Sequence, residues 1–183
     1  MSLVRFATTQ ALFETFPEPS QKISAEPTEQ FPTEFLQSLV AANKIEDAVT
    51  FCAYLLPRRE AVWWACGCAR ELLSEVPQDR GAGLLAAEAW VREPHEAHRR
   101  AALDIGTRGD SNCPLTWAAL AAGWAGGFLL SGPNKQIPMP QYMTARAARA
   151  AILISALQVR RDKRPAHLRA CIAEGARLTE KGL

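Results

Sequence analysis

The segment Leu55–Leu73, LLPRREAVWWACGCARELL, holds the residue types that come closest to a chemical site in this sequence. Its cysteines, Cys66 and Cys68, are separated by one residue, whereas zinc sites usually need a wider C-x2-4-C spacing and a second matching pair. The sequence offers no second pair. Side chains two apart on a helix also point about 200° away from each other. We therefore predict no metal site here.

Packing explains the cysteines better than chemistry does. The sequence has an odd and scattered set of five: Cys52, Cys66, Cys68, Cys113 and Cys171. Such thiols stay reduced in the cytoplasm, and cysteine is among the residues most often buried. The first sixteen residues also lack the long apolar run and cleavage signature of a signal peptide. We expect a cytoplasmic protein.

Catalytic motifs are missing as well. His95 and His98 lie three residues apart, but a metalloprotease helix needs H-E-x-x-H, and no third ligand is evident. The sequence contains no G-x-S-x-G nucleophile motif and no G-x-x-x-x-G-K-[ST] phosphate loop. It thus predicts a protein that is not an enzyme and that needs no cofactor.

The adjacent tryptophans point in different directions in the helix predicted from Pro57 to about Ser74. At about 100° per residue, Trp63 lies at the border of an apolar stripe and Trp64 on the opposite face. The stripe consists of Val62, Cys66, Ala69 and Leu73. Either a second helix covers Trp64, whose indole N–H then needs an acceptor, or Trp64 is an exposed anchor for another protein. Because a free-standing exposed tryptophan is uncommon, burial is favoured.

Two arginines open the same helix. Arg58 and Arg59 follow Pro57, which fits the first helical turn because its nitrogen would lack a helical partner there anyway. Positive side chains are unfavourable at a helix N-terminus, which suggests an acidic partner for them. Glu46 and Asp47 are the candidates within the chain, and an acidic partner protein is the candidate outside it. An ion pair within the chain is the simpler explanation.

Composition describes an ordinary globular chain. Of its 183 residues, 48% are hydrophobic and 22% charged, and the formal net charge is +2. This charge is too small, and the arginines too dispersed among acids, to indicate nucleic-acid binding. The most apolar run, Leu115–Leu130, is shorter than the roughly 20 residues that cross a bilayer. We predict a buried core helix there and no membrane insertion.

Helical periodicity dominates from Phe31 onward, while strand signals are weak. The predicted fold is all-α, with seven or eight short helices in an antiparallel helical array or compact bundle, a HEAT-like stack included. Residues 33–183 would form a single all-helical domain. Residues 1–32 would form an extended N-terminal arm or linker with a short helix at Thr9–Phe16.

Several residues predict where helices begin and end. Thr33 and Thr144 are placed to cap two helix starts, and Asn43 to end a helix. The apolar helix is predicted to span Pro114–Leu130. A loop with three prolines, Ser131–Pro140, follows it.

The tryptophan segment resembles an uncharacterised bacterial family. Its members carry an Asp-Ala pair ahead of a Leu-Pro-x-Arg-Glu-Ala-Val-Trp-Trp-Ala motif, which Asp47, Ala48 and the stretch Leu56–Ala65 match here. The stretch Gly126–Ser155 is similar to that family's glycine-serine turn, proline-rich loop and following helix. Such proteins are often encoded beside type VI secretion genes. The resemblance therefore implies an accessory or cargo-adaptor role, and it implies no catalytic residues.

The leading hypothesis is a non-enzymatic adaptor that binds another protein, which the resemblance implies is a type VI secretion component or effector. The expected partner-binding residues are Arg58, Arg59, Trp64, Ile137 and Met139. The alternative is an enzyme or small-ligand carrier with a pocket between helices, lined by Trp90, Trp117 and Trp124. A structural homodimer is a third hypothesis.

Overall fold

The computed structural model describes residues 5–70, 81–132 and 135–183. In these ranges the chain forms nine α-helices and one two-stranded antiparallel sheet, so the predicted all-α class is confirmed. The helices are α1 (Thr9–Thr15), α2 (Pro32–Ala41), α3 (Ile45–Leu55), α4 (Arg58–Arg70), α5 (Ala82–Arg92), α6 (Glu96–Arg108), α7 (Pro114–Gly123), α8 (Gln141–Gln158) and α9 (Arg164–Lys181). The strands are β1 (Phe128–Gly132) and β2 (Lys135–Pro138).

The helix α4 lies at the centre of the fold, in contact with α5, α7, α8 and α9. The predicted apolar stripe is fully buried at Val62, Cys66 and Ala69, and Trp64 on the other face is fully buried too. A helix enclosed by several neighbours buries more than one stripe, which explains its all-round apolar sequence. Leu73 and the predicted helix end at Ser74 lie outside the described residues.

The N-terminal segment packs against the helical body. The ring of Phe13 lies 6.1 Å from that of Phe51 and 6.2 Å from that of Phe35, centroid to centroid. Tyr54 donates its hydroxyl to the carboxylate of Glu18 at 2.9 Å. The residues predicted as an arm therefore add aromatic side chains to the core that α2 and α3 share.

The helix boundaries confirm some predictions and correct others. Asn43 takes a left-handed conformation with φ 59° just after α2, as predicted. The two predicted threonine caps are wrong: Thr33 lies inside the first turn of α2, and Thr144 lies inside α8. Pro32 occupies the first position of α2 and Pro140 directly precedes α8, so each helix begins earlier than predicted.

The apolar helix is shorter than predicted. The helix α7 ends at Gly123 rather than at Leu130, and Gly127 beyond it has a left-handed φ of 75° that favours glycine. The chain then enters β1 instead of continuing as helix. Among the described residues, no helix is both long enough and apolar enough to cross a membrane.

The segment predicted as a proline-rich loop contributes instead to a β1–β2 strand pair. Phe128 lies opposite Pro138 and Leu130 opposite Ile137, with a register shift between Phe128 and Leu130. Met139 follows β2 and donates its backbone N–H to the carbonyl of Gly127 at 2.9 Å. This bond closes the strand pair at its base, next to the end of α7.

Candidate functional site

Trp64 belongs to the interior. Its side chain is 0% exposed, and its indole N–H donates to the backbone carbonyl of Cys171 on α9 at 2.6 Å. A Cβ added to Gly175 on α9 would lie 3.0 Å from the indole ring, so only a glycine allows this approach. Of the two predicted arrangements, burial under a second helix is the one found, and Trp64 offers no surface to a partner.

Arg58 fixes the strand pair to the start of α4. Its guanidinium donates from Nη1 to the carbonyl of Ala125 and from Nη2 to that of Met139, both at 2.8 Å. Ala125 lies in the turn before β1, and Met139 lies just after β2. One side chain therefore holds, at the base of the strand pair, both the segment that enters β1 and the segment that leaves β2. Burial lowers the pKa of Arg58, because water is partly removed from its charge.

The predicted ion pairs of the two arginines with Glu46 or Asp47 are not formed. Arg59 donates from Nε to the carbonyl of Val91, in the last turn of α5, at 2.7 Å. Carbonyls at a helix C-terminus lack helical partners, so an arginine satisfies one there. Asp47 instead accepts from the backbone N–H and the hydroxyl of Ser24, at 3.1 and 2.7 Å.

The strand pair exposes large apolar side chains. Phe128 is 48% exposed and Leu129, its neighbour on β1, is 50% exposed. Ile137 on β2 is partly exposed, whereas Met139 is buried at 8% exposure. We call Phe128 and Leu129 the strand-pair surface. Ile137 lies on the other face of the strand pair from Phe128, because Phe128 pairs with Pro138 and successive side chains on a strand alternate between faces. Exposed apolar residues scattered singly are ordinary, but adjacent ones mark candidate interaction sites.

The structure thus brings three of the five predicted contact residues to one place. Ile137 lies on β2 of the strand pair, and Arg58 and Met139 are joined by a hydrogen bond at its base. Trp64 lies under α9, and Arg59 binds the end of α5. The exposed residues Phe128 and Leu129 were missed, because the sequence pattern continued the apolar helix through them.

Arg5 is a further residue that sequence reasoning missed. It donates from Nη1 to the carbonyl of Leu56 at 3.2 Å and from Nη2 to the side chain of Gln141. Burial lowers its pKa, and the nearby positive charge of Arg58 lowers it further. Its guanidinium also lies 5.2 Å from the ring centroid of Phe16. No local sequence pattern marks an isolated arginine in an N-terminal segment as the neighbour of Arg58.

The five cysteines are buried thiols. Cys52 and Cys66 are fully buried, and burial raises the pKa of both thiols, so they remain protonated. In the part of the chain that the structure describes, no group of three or more His, Cys, Asp or Glu side chains could hold a metal ion. A cleft of about 440 Å³ between α4 and α9 is bordered by Cys68, Cys171 and Trp63 among others.

The three tryptophans of the alternative hypothesis occupy different environments. Trp90 is 7% exposed in the core, while Trp117 and Trp124 are partly exposed and meet edge to face at 6.4 Å. Trp117 donates its indole N–H to the carbonyl of Ser111 at 2.8 Å. The cleft between α4 and α9, the groove between α2 and α9 and the groove between α3, α8 and α9 are all lined by other residues.

Comparison with known proteins places the chain in a family. No curated protein and no solved structure matches it. A family model matches residues 35–179, which include Arg58 and the whole strand-pair surface but not Arg5. The expected resemblance to an uncharacterised family is confirmed at that level. The chain belongs to DUF6931, a family of unknown function.

Proposed function

We propose that this protein is a non-enzymatic adaptor that binds another protein through the strand-pair surface. The observation that carries the proposal is the pair of adjacent, half-exposed apolar side chains on β1, Phe128 at 48% and Leu129 at 50%. Burying such side chains against a partner releases water from apolar area, at about 25 cal/mol per Å² removed from solvent. Their position on a fixed element distinguishes them from exposed residues at loop tips.

The strand pair is held in place before any partner arrives. Arg58 binds the carbonyls on both sides of it, and Arg99 donates to the carbonyl of Gly123 at the end of α7. A Cβ added to Gly127 would lie 2.8 Å from the guanidinium carbon of Arg99, so the turn is packed directly on that side chain. Because a preorganised surface loses little freedom on binding, more of the apolar burial contributes to affinity.

Strand addition is the binding mode that this geometry favours. Within the described residues β1 and β2 pair only with each other, so each strand has an outer edge without a neighbouring strand. An extended partner segment would pair its backbone with such an edge and pack its apolar side chains on Phe128 or Ile137.

For the identity of the partner, we propose a type VI secretion component or effector that meets this protein in the cytoplasm. The support is the resemblance of the Leu-Pro-x-Arg-Glu-Ala-Val-Trp-Trp-Ala motif, an association that carries less weight than the surface chemistry. Co-purification with the products of neighbouring genes, quantified by mass spectrometry, tests this assignment. If no secretion component is enriched over a tag-only control, the assignment is withdrawn, while the adaptor proposal is tested separately by surface variants.

The adaptor proposal is tested by the Phe128→Ser, Leu129→Ser double variant. We expect its binding to a co-purified partner to weaken by about tenfold or more, because central apolar contacts dominate protein interfaces. Leu85→Ser is the matched control, since Leu85 on α5 is also exposed, at 63%. Equal affinity of the double variant and the control variant, measured by titration with the purified partner, would reject the strand-pair surface as the binding site.

A further inference from the structure

Two arginines bridge the same two chain segments at the base of the strand pair. Arg5 binds the carbonyl of Leu56, two residues before α4, and the side chain of Gln141 at the start of α8. Arg58, the first residue of α4, binds the carbonyl of Met139, two residues before Gln141. The two guanidinium groups therefore lie near each other, and both side chains are partly exposed to solvent.

This pair of positive charges has no negative counterpart among the described residues. Several arginines of the structure are paired with a carboxylate, as Arg70 is with Glu88, Arg99 with Glu96 and Arg108 with Asp104, whereas others, such as Arg59, bind a neutral oxygen. The hydrogen bonds of Arg5 and Arg58 go to neutral oxygens, and no described carboxylate acts on the pKa of either. Two positive charges that are close together and partly shielded from water favour the binding of an anion.

Both side chains keep donors for such an anion. A guanidinium has five N–H donors, and the contacts of Arg5 and of Arg58 each use one hydrogen on Nη1 and one on Nη2. The Nε of Arg58 is buried without a partner, so the hydrogens left on its terminal nitrogens are the ones available to a ligand. A carboxylate takes two parallel N–H bonds from a guanidinium, or one from each of two.

We propose that the Arg5–Arg58 pair binds a carboxylate of the partner protein, so the segment that docks on the strand-pair surface is acidic as well as apolar. This inference rests on the proposed adaptor function. The two features are connected in the fold, because Met139, held by Arg58, donates its backbone N–H to Gly127, and Gly127 directly precedes Phe128. The exposed phenylalanine and leucine favour a carboxylate on a peptide over a small free anion, which would leave them uncovered.

The test selects peptides from a random library displayed on phage, with the full-length protein as bait. The wild type should enrich sequences that combine aromatic or aliphatic residues with Asp or Glu. Arg5→Gln should keep the apolar preference and lose the acidic one, because Arg5 donates no hydrogen bond to β1 or β2, while Arg58 still holds the base of the strand pair. Arg160→Gln is the control, an arginine whose side chain is 77% exposed and paired with Asp162 between α8 and α9. It should select the same sequences as the wild type.

Affinity measurement makes the expectation quantitative. For one selected peptide, followed by fluorescence anisotropy, Arg5→Gln should weaken binding by about tenfold and reduce its salt dependence, whereas Arg160→Gln should change it less than about twofold. Replacing the acidic residue of the peptide by its amide should weaken binding to the wild type but not to Arg5→Gln. Leu129→Ser should weaken binding of either peptide.

The outcomes separate the inference from the function on which it rests. If selected peptides are apolar without acidic enrichment, or if Arg5→Gln selects the same acidic peptides, the carboxylate site is wrong while the strand-pair surface stands. If Leu129→Ser also selects and binds the same peptides, the adaptor surface fails as well. Saturable, Arg5-dependent binding of inorganic phosphate that is tighter than binding of the selected peptide would assign the pair to phosphate and overturn the proposal.

Discussion

The contact between α4 and α9 and the strand-pair surface are both apolar, but only the first is covered. At α4 the ring of Trp64 is 0% exposed beneath α9, with its N–H satisfied by a carbonyl. On β1, Phe128 and Leu129 are about half exposed, at 48% and 50%. The first contact stabilises the fold, whereas the second surface has area to offer a partner.

This difference shows that an unusual residue in a helix should first be explained by packing against a neighbouring element, and only then by a catalytic or binding role. The Trp-Trp motif held the most conspicuous residue types of the sequence, yet Trp64 serves packing. Arg58 connects the two regions, because it begins α4 and holds the base of the strand pair. The motif therefore supports the candidate surface without forming it.

The largest expected effect is that of Trp64→Ala. Removing the ring leaves a cavity under α9, and we expect a loss of about 3–5 kcal/mol in the free energy of unfolding. Trp63→Ala is the matched control, because Trp63 is partly exposed and meets Arg70 across its ring at 5.9 Å. Its cost should be about 1–2 kcal/mol. Urea denaturation of both variants measures the difference.

Equal losses for the two tryptophan variants would contradict the burial of Trp64 against α9. The Trp64→Ala variant also tests the adaptor proposal. Where the Trp64→Ala protein remains folded, it should still bind a partner at the strand-pair surface, since Trp64 makes no contact with solvent.

The next effect in size is that of Gly175→Ala, with Gly67→Ala as its control. A Cβ at Gly175 would lie 2.4 Å from the Sγ of Cys52 and 3.0 Å from the ring of Trp64, so α9 must move away. We expect a loss of about 1–3 kcal/mol. A Cβ at Gly67 on α4 would meet nothing within 4 Å. There alanine should stabilise the helix by about 0.5–1 kcal/mol. Changes of the same sign, measured by thermal denaturation, would refute the close approach of α9.

The helices of this protein could be predicted because their signals are local. Asn43 and the prolines mark helix ends within a few residues, and the apolar spacing predicted the burial of Val62 and Cys66. The end of α7 could not be predicted in this way. Gly123 ends the helix against α6, where an added Cβ would lie 2.7 Å from the Cα of Leu103. That contact joins segments distant in sequence, so the helical spacing of apolar residues does not predict it.

The candidate site was predicted only in part, for the same reason. Arg58 stood out because a positive charge at a helix start needs compensation, and Ile137 lay in a segment rich in prolines. The partners of Arg58 turned out to be carbonyls on distant segments, at Ala125 and Met139. Carbonyls exist at every residue, so no sequence pattern distinguishes these two. Arg5 entered the site for a similar reason, through the packing of the N-terminal segment.

A smaller effect on stability depends on pH. It distinguishes Arg99, which is bonded to a carboxylate, from Arg58, which is bonded only to carbonyls. Arg99 donates to Glu96 from Nε and Nη2, both at 2.7 Å, and Arg100 donates to it at 2.8 Å. These bonds, those from Arg99 foremost, lower the pKa of Glu96 to about 2. Because the folded pKa is depressed, the stabilisation is present above the unfolded value of about 4.3 and is lost as pH falls towards 2.

Exposure limits the size of this effect. The Glu96 side chain is 51% exposed, so solvent screening keeps the contribution below about 1 kcal/mol. Urea denaturation between about pH 5 and pH 2.5 should show a larger loss for the wild type than for Glu96→Gln. Parallel curves for the two proteins would show that the Glu96–Arg99 pair adds nothing to the fold. Arg58 binds neutral carbonyls, so its hold on the strand pair should not change over this range.

The smallest expected effect on stability is that of Leu129→Ser. Half of this side chain already contacts water, so we expect a change within about 0.5 kcal/mol in the free energy of unfolding. Leu115→Ser on α7 is the contrast, since Leu115 is 0% exposed and should cost several times more. A large loss for Leu129→Ser would mean that β1 belongs to the core and that its exposure is not available for binding. Unchanged stability together with weakened partner binding would instead assign the strand-pair surface to binding and the contact between α4 and α9 to stability. The reason is that only the exposed surface could then be altered without destabilising the fold.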